Sequence, residues 1–167
     1  MTKRLTFLLI TIFLVSCATQ AISTPRPTQT SAASEEIKAA HALGTFLRLL
    51  HEKDYEAATP LYGGEYEALQ VFNPEINPSD HVALWEWACE NELLKCLEPR
   101  SAQSVRQEGD VYIFQVEFNN PDGSLFVLGP CCGANETEMP PISHFEYTVS
   151  RNADHKFVVM NTPPYVP

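Results

Sequence analysis

The chain is poor in positive charge: 11 Lys and Arg stand against 21 Asp and Glu among 167 residues, a formal net charge of −10. A surface of that sign repels phosphate backbones and anionic headgroups, which argues against nucleic acid or anionic lipid as partners. No apolar run approaches the roughly twenty residues that a membrane-spanning helix requires. The five histidines, His41, His51, His81, His144 and His155, form no H-x-x-x-H or H-E-x-x-H pair, so a metallohydrolase centre has no support. The five cysteines include no C-x-x-C, which removes the usual zinc knuckle and the usual dithiol redox motif, and no metal or cofactor is expected. No internal repeat is present.

The N-terminus carries an export layout. Lys3 and Arg4 form a charged beginning, Leu5 to Val15 form an apolar segment, and Leu14-Val15-Ser16-Cys17 closes it with small residues and a cysteine. The apolar segment, about ten residues long, has the length of a signal peptide core. This tetrapeptide resembles the lipobox of bacterial lipoproteins. The resemblance implies cleavage before Cys17, acylation of its thiol, and anchorage of the mature chain to the bilayer outside the cytoplasm. The membrane would be the cell membrane, or the outer membrane in a host that has two. Residues 1–16 are then the signal peptide. Residues 17–34, rich in Thr, Ser, Gln and Ala with Pro25 and Pro27, read as a flexible tether. Two acyl chains, at about 0.8 kcal/mol per buried methylene, hold a protein that one chain holds only marginally. Cleavage removes Lys3 and Arg4 and none of the 21 acids, so the formal charge moves from −10 to −12.

Residues 35–167 suit a single domain with its own core. Ser34 is placed to cap a first helix, with Glu35 and Glu36 in its first turn and Ile37, Ala40, Leu43, Phe46, Leu47 and Leu50 at helical spacing. Asp54 reads as the cap of a short second helix through Tyr62, stopped by Gly63-Gly64. A third opens at Asn77-Pro78-Ser79-Asp80, with Asn77 as cap, and runs through Trp85 and Trp87. After Pro99 the period changes. Strands are expected over 101–107, 111–118, 124–128, 143–150 and 156–161, with turns at Glu108-Gly109-Asp110, Asn119 to Gly123 and Asn152 to Asp154. Helices followed by a strand meander make an α+β fold of three N-terminal helices on a curved antiparallel sheet.

That order, together with Phe46 to Ala58 (FLRLLHEKDYEAA), resembles the nuclear transport factor 2-like superfamily, the cone fold shared with ketosteroid isomerases and SnoaL-like proteins. The resemblance implies a cavity between the concave face of the sheet and the helices. Members of that superfamily use such a cavity for catalysis, for ligand binding or for protein contact, so the fold alone does not decide the function.

With Cys17 acylated, Cys89, Cys96, Cys131 and Cys132 remain as an even set in an exported chain, and disulfides are the first reading. On one continuous helix Cys89 and Cys96 would lie about 10.5 Å apart, beyond the roughly 7 Å that a bridge tolerates. Either the helix ends near Asn91 and the two pair locally, which is the favoured reading, or each reaches the loop of Cys131 and Cys132. Local pairing leaves that adjacent pair as a vicinal disulfide or as thiols.

Tyr112, Phe114, Val116 and Phe118 share one strand face, while Gln115 and Glu117 lie on the other. His144 and Glu146 also share a face. If the polar face lines the cone, Gln115, Glu117, His144 and Glu146 form its polar end, walled by Ile113, Phe46, Trp85 and Tyr62, with Glu117 or Glu146 as a general base raised by desolvation. If it faces water, they are a solvated surface; a slip of one residue exchanges the two outcomes. Trp85 and Trp87 are two apart on a helix and cannot both point inward. The expected function is a non-catalytic binding or interaction module at the cell envelope, taking a small apolar ligand or an envelope protein. The alternatives are a cavity enzyme of the ketosteroid isomerase kind and an envelope assembly subunit.

Overall fold

A computed structural model describes residues 29–165, with side chains from residue 33 onward. The expected export signal, Cys17 and the expected tether as far as residue 28 lie outside the described residues. Among those described, no helix is long and apolar enough to cross a membrane.

Helix α1 (Gln29–His51) is followed by α2 (Tyr55–Ala58), a 3-10 turn (Thr59–Leu61), α3 (Glu67–Phe72) and α4 (His81–Glu90). Strands β1 (Glu98–Glu108), β2 (Val111–Asn119), β3 (Phe145–Arg151) and β4 (Phe157–Val159) then form one antiparallel sheet in the order β1-β2-β3-β4. The fold is thus α+β, N-terminal helices against a four-stranded open sheet.

Several boundaries differ from expectation for local reasons. Helix α1 begins at Gln29, so Ser34 lies within it rather than capping it. Its buried face is Ala39, Leu43, Phe46, Leu47 and Leu50, while Ile37, two residues before Ala39 and so on the far side of the helix, is 69% exposed. Asp54 caps α2 as expected, its carboxylate accepting the Ala57 N–H at 3.1 Å, and Pro60 marks the change to a 3-10 turn. Helix α4 is capped by Asp80, which accepts from Ala83 N–H at 3.1 Å; Asn77 instead holds the preceding turn, accepting from Ser79 N–H at 3.0 Å. The six-residue helix α3 had no periodic signal long enough to announce it. Residues 124–128 form isolated bridges, Asn119 to Leu125 and Leu128 to Ile142, and no strand.

The core forms between α1, α4 and one face of the sheet. Phe46, Leu84, Trp85, Phe114, Val116, Phe118, Tyr147 and Val149 each expose 1% or less, and each contributes on the order of 1.5–3 kcal/mol by leaving water. Gly109 joins β1 to β2 with a φ of +62°, the left-handed turn position that a two-residue hairpin asks of glycine. The other sheet face carries Gln103, Gln115 and Glu146, all exposed.

Candidate functional site

Strand alternation separates the residues that the sequence offered as one pocket. Phe114, Val116 and Phe118 take the helix side, so Gln115 and Glu117 take the other. On that open side Glu117 Oε2 accepts from Ser101 Oγ at 2.9 Å, and Glu117 Oε1 lies 3.2 Å from His144 Nε2. His144 Nδ1 lies 3.1 Å from Ser143 Oγ, and Arg106 reaches Glu146 at 3.3 Å. Ser143, His144 and Glu117 thus form a hydroxyl, imidazole and carboxylate chain. The His144 side chain is 56% exposed, however, and water competes for each of these bonds, so the chain lacks the dry setting that activates a nucleophile. Phe46, Tyr62 and Trp85 meet on the helix side of the sheet, with ring centroids 5.0 to 5.9 Å apart. Tyr66 joins them, accepting a hydrogen bond from Trp85 Nε1 at 3.1 Å and stacking on His81 at 3.8 Å. Trp85 is fully buried and Trp87 half-buried, as two residues two apart on a helix must differ.

An open groove of about 770 Å³ lies at the start of β3. Three of the six residues proposed for a pocket line it, namely Tyr62, His144 and Glu146; Gln115, Glu117 and Trp85 do not. One wall is Tyr62 to Glu65 with Ala68, the second is Ile142 with Phe145 and Tyr147, and the third is the C-terminal segment from Met160 to Tyr165. The groove exists because β4 pairs with β3 only over Val149 to Arg151. Beyond Val159 the chain turns off: Met160 N–H donates to Thr148 O at 2.9 Å, and Asn161 Oδ1 accepts from Thr148 N–H at 2.7 Å. By strand alternation Glu146 presents its backbone to the same side as Thr148, where no strand lies opposite it. The floor is tight. A Cβ on Gly63 would meet Val158 Cγ2 at 2.4 Å, and one on Gly64 would meet Met160 O at 2.5 Å. Both glycines are therefore needed where this segment crosses the end of the sheet.

Tyr62 and Tyr147 are among the residues that line the groove. Tyr62 donates to Glu65 O at 3.1 Å, and burial, then the charges of Tyr66 and Glu65, push its phenol up to about 12. Tyr147 is 1% exposed, and burial pushes its phenol far upward, so it stays a neutral O–H donor at every physiological pH. Among the described residues its hydroxyl is the one buried side-chain polar atom without a hydrogen-bond partner. In the sequence, His144 and Glu146 mark this segment by their polarity, and Tyr147 carries no comparable signal. The weaker signal available was a tyrosine where its strand neighbours on the same face are valine and phenylalanine, since a buried phenol normally finds a partner.

Helix α4 ends at Glu90, and Cys89 bonds to Cys96 with their Cα atoms 5.5 Å apart. Of the pairings left open, the local one is present, and the crossed pairing to the loop is not. The bridge borders a second cavity of about 430 Å³ with Leu50, Tyr55, Glu90 and Phe126. Cys131 and Cys132 are free thiols. Among the described residues no group of three or more His, Cys, Asp or Glu is arranged to hold a metal ion. No protein-family model matches this chain, and no curated protein matches it.

Proposed function

We propose that this chain is a lipid-anchored, non-catalytic binding module outside the cytoplasm, and that the groove beside β3 holds a small, largely apolar ligand bearing one hydrogen-bond acceptor. The observation that carries the reading is a groove-lining residue, Tyr147, whose hydroxyl is buried behind the groove surface and has no hydrogen-bond partner. Leaving such a donor unmade costs about 1–3 kcal/mol, a penalty that an acceptor on a ligand would remove. Ile142, Phe145, Met160 and Tyr165 supply apolar surface for the rest of such a molecule. The anchoring half of the proposal rests on Leu14-Val15-Ser16-Cys17 and the tether after it. The cone-fold relationship to the nuclear transport factor 2-like superfamily is part of the same reading, supported by the order of helices before an antiparallel meander.

The experiment is native mass spectrometry of the full chain, exported with its own N-terminus from a bacterium and released gently in detergent. Under this reading the protein carries acyl mass at Cys17 and a bound small molecule that is lost in Ala68→Trp, which fills the groove. Masses without any bound molecule in both proteins would sink the groove assignment. An unacylated mature mass would sink the anchor.

A further inference from the structure

We infer that Cys131 and Cys132 form a reversible vicinal dithiol–disulfide couple, a redox site distinct from the Cys89–Cys96 bridge and independent of the groove reading. The two sulfurs lie 2.8 Å apart, in contact along their shared turn, and need only close to the roughly 2.05 Å of a bonded pair. Backbone geometry prepares this approach. Cys132 takes a φ of +61° and Gly133 one of +88°, while Ala134 N–H closes the turn on Cys131 O at 3.0 Å. Cys132 therefore already holds a left-handed conformation that a non-glycine residue rarely adopts. The turn sits in a loop whose two ends are latched, Leu128 and Ile142 exchanging backbone hydrogen bonds at 2.8 and 3.0 Å. Cys132 is exposed and Cys131 half-buried, so a small reagent reaches Cys132 first.

The chemistry is thiol–disulfide exchange with a low-molecular-weight disulfide, R–S–S–R. The thiolate of Cys132 attacks one sulfur, forming a Cys132–S–S–R mixed disulfide and expelling RS⁻, which takes up the proton that Cys132 gave to solvent. Cys131 then loses its proton to solvent and attacks Cys132 Sγ. The second RS⁻ leaves and is protonated, and the intramolecular bond forms. In sum two protein thiols are oxidised, and one external disulfide is reduced to two thiols. Hydrogen bonding with Cys132, followed by burial, pushes the Cys131 thiol up, which keeps the proton on Cys131 while Cys132 reacts. An excess of RSH runs the sequence backwards.

Trypsin isolates the site, because residues 107–151 contain neither Lys nor Arg before Arg151 and hold no other cysteine. The full chain is first reduced and then incubated with oxidised glutathione. It is next blocked with iodoacetamide and digested without reduction. The expected product is a 107–151 peptide that carries no alkyl group and no glutathione and is about 2 Da lighter than the dithiol form, returning to the doubly alkylated form after dithiothreitol. Cys131→Ser should instead accumulate a stable glutathione adduct on Cys132. Double alkylation of the glutathione-treated wild type, a persistent mixed disulfide on it, or a bridge between two chains would each overturn the proposal. Phenylarsine oxide supplies an independent readout: with Cys89→Ser and Cys96→Ser in place, the reduced chain should take up one equivalent that survives excess monothiol, and adding Cys131→Ser should abolish it.

Discussion

The Tyr55 hydroxyl donates to Glu90 Oε1 at 3.0 Å, tying α2 to the last turn of α4 one residue beyond the Cys89 end of the disulfide. Lys53 Nζ reaches the same carboxylate at 2.9 Å. Hydrogen bonds from Lys53 and then Tyr55 hold the Glu90 carboxyl below its ordinary value of 4.5. A carboxylate depressed in the folded state adds stability above its unfolded pKa, and that stability is lost as pH falls through the folded value. Tyr55→Phe is therefore expected to lower the melting temperature at pH 7, with the gap to wild type closing as pH falls below about 4.5. Thermal melts of both proteins from pH 7 to pH 3 check this, and a gap that is the same at every pH would show that Glu90 is not the partner that matters.

Reduction of the Cys89–Cys96 bridge frees a loop with a sequence separation of 7. Chain-entropy arguments give a closure of that length about 2–3 kcal/mol of stabilisation. The double variant Cys89→Ser, Cys96→Ser should lose that amount in urea unfolding, whereas Cys132→Ser, at an exposed position, should lose less than about 0.5 kcal/mol.

Tyr147→Phe separates a ligand-binding hydroxyl from a structural one. In the ligand-free protein the substitution removes a buried donor without a partner and keeps the ring, which packs against Phe118 at 6.2 Å. Stability should rise by up to about 1–3 kcal/mol in denaturant titration. Any ligand held through that hydroxyl should be bound more weakly by the same variant. A variant less stable than the ligand-free wild type would show that the hydroxyl has a partner after all.

The His144 and Glu117 contact at 3.2 Å lies on the water-facing side of the sheet. His144→Ala is expected to change unfolding free energy by less than about 1 kcal/mol, as exposed pairs do. It should also leave the chain's reaction with a fluorophosphonate probe at the background level of a denatured control. Stoichiometric labelling of Ser143 that disappears in His144→Ala would overturn this assignment and make the hydroxyl, imidazole and carboxylate chain an active one.

Much of the architecture was legible because it rests on local pattern. The alternation of Tyr112, Phe114, Val116 and Phe118 marked the buried face of β2, and all four expose 3% or less. Asp54 announced its helix by capping chemistry, and Gly109 and Gly123 marked turns at φ values of +62° and +82°. Helix α3 and the start of α1 were not legible. The first is too short to display a period, and the second runs through Thr, Ser and Ala, whose composition reads equally well as a tether.

The candidate site divides in the same way. Sequence by itself determined the acidic balance, the Leu14-Val15-Ser16-Cys17 tetrapeptide, the five cysteines without a C-x-x-C and the helix-then-strand order, because each is a property of composition or of near neighbours along the chain. Only the tertiary structure decided that Cys89 pairs with Cys96, that Glu117 and His144 meet away from the aromatic core, and that Tyr147 lines a groove without a partner. Those outcomes depend on where α4 stops, on which sheet face the helices cover, and on how early β4 ends beside β3. Each is a competition between packing arrangements distant in sequence, and a face assignment inverts with a slip of a single residue.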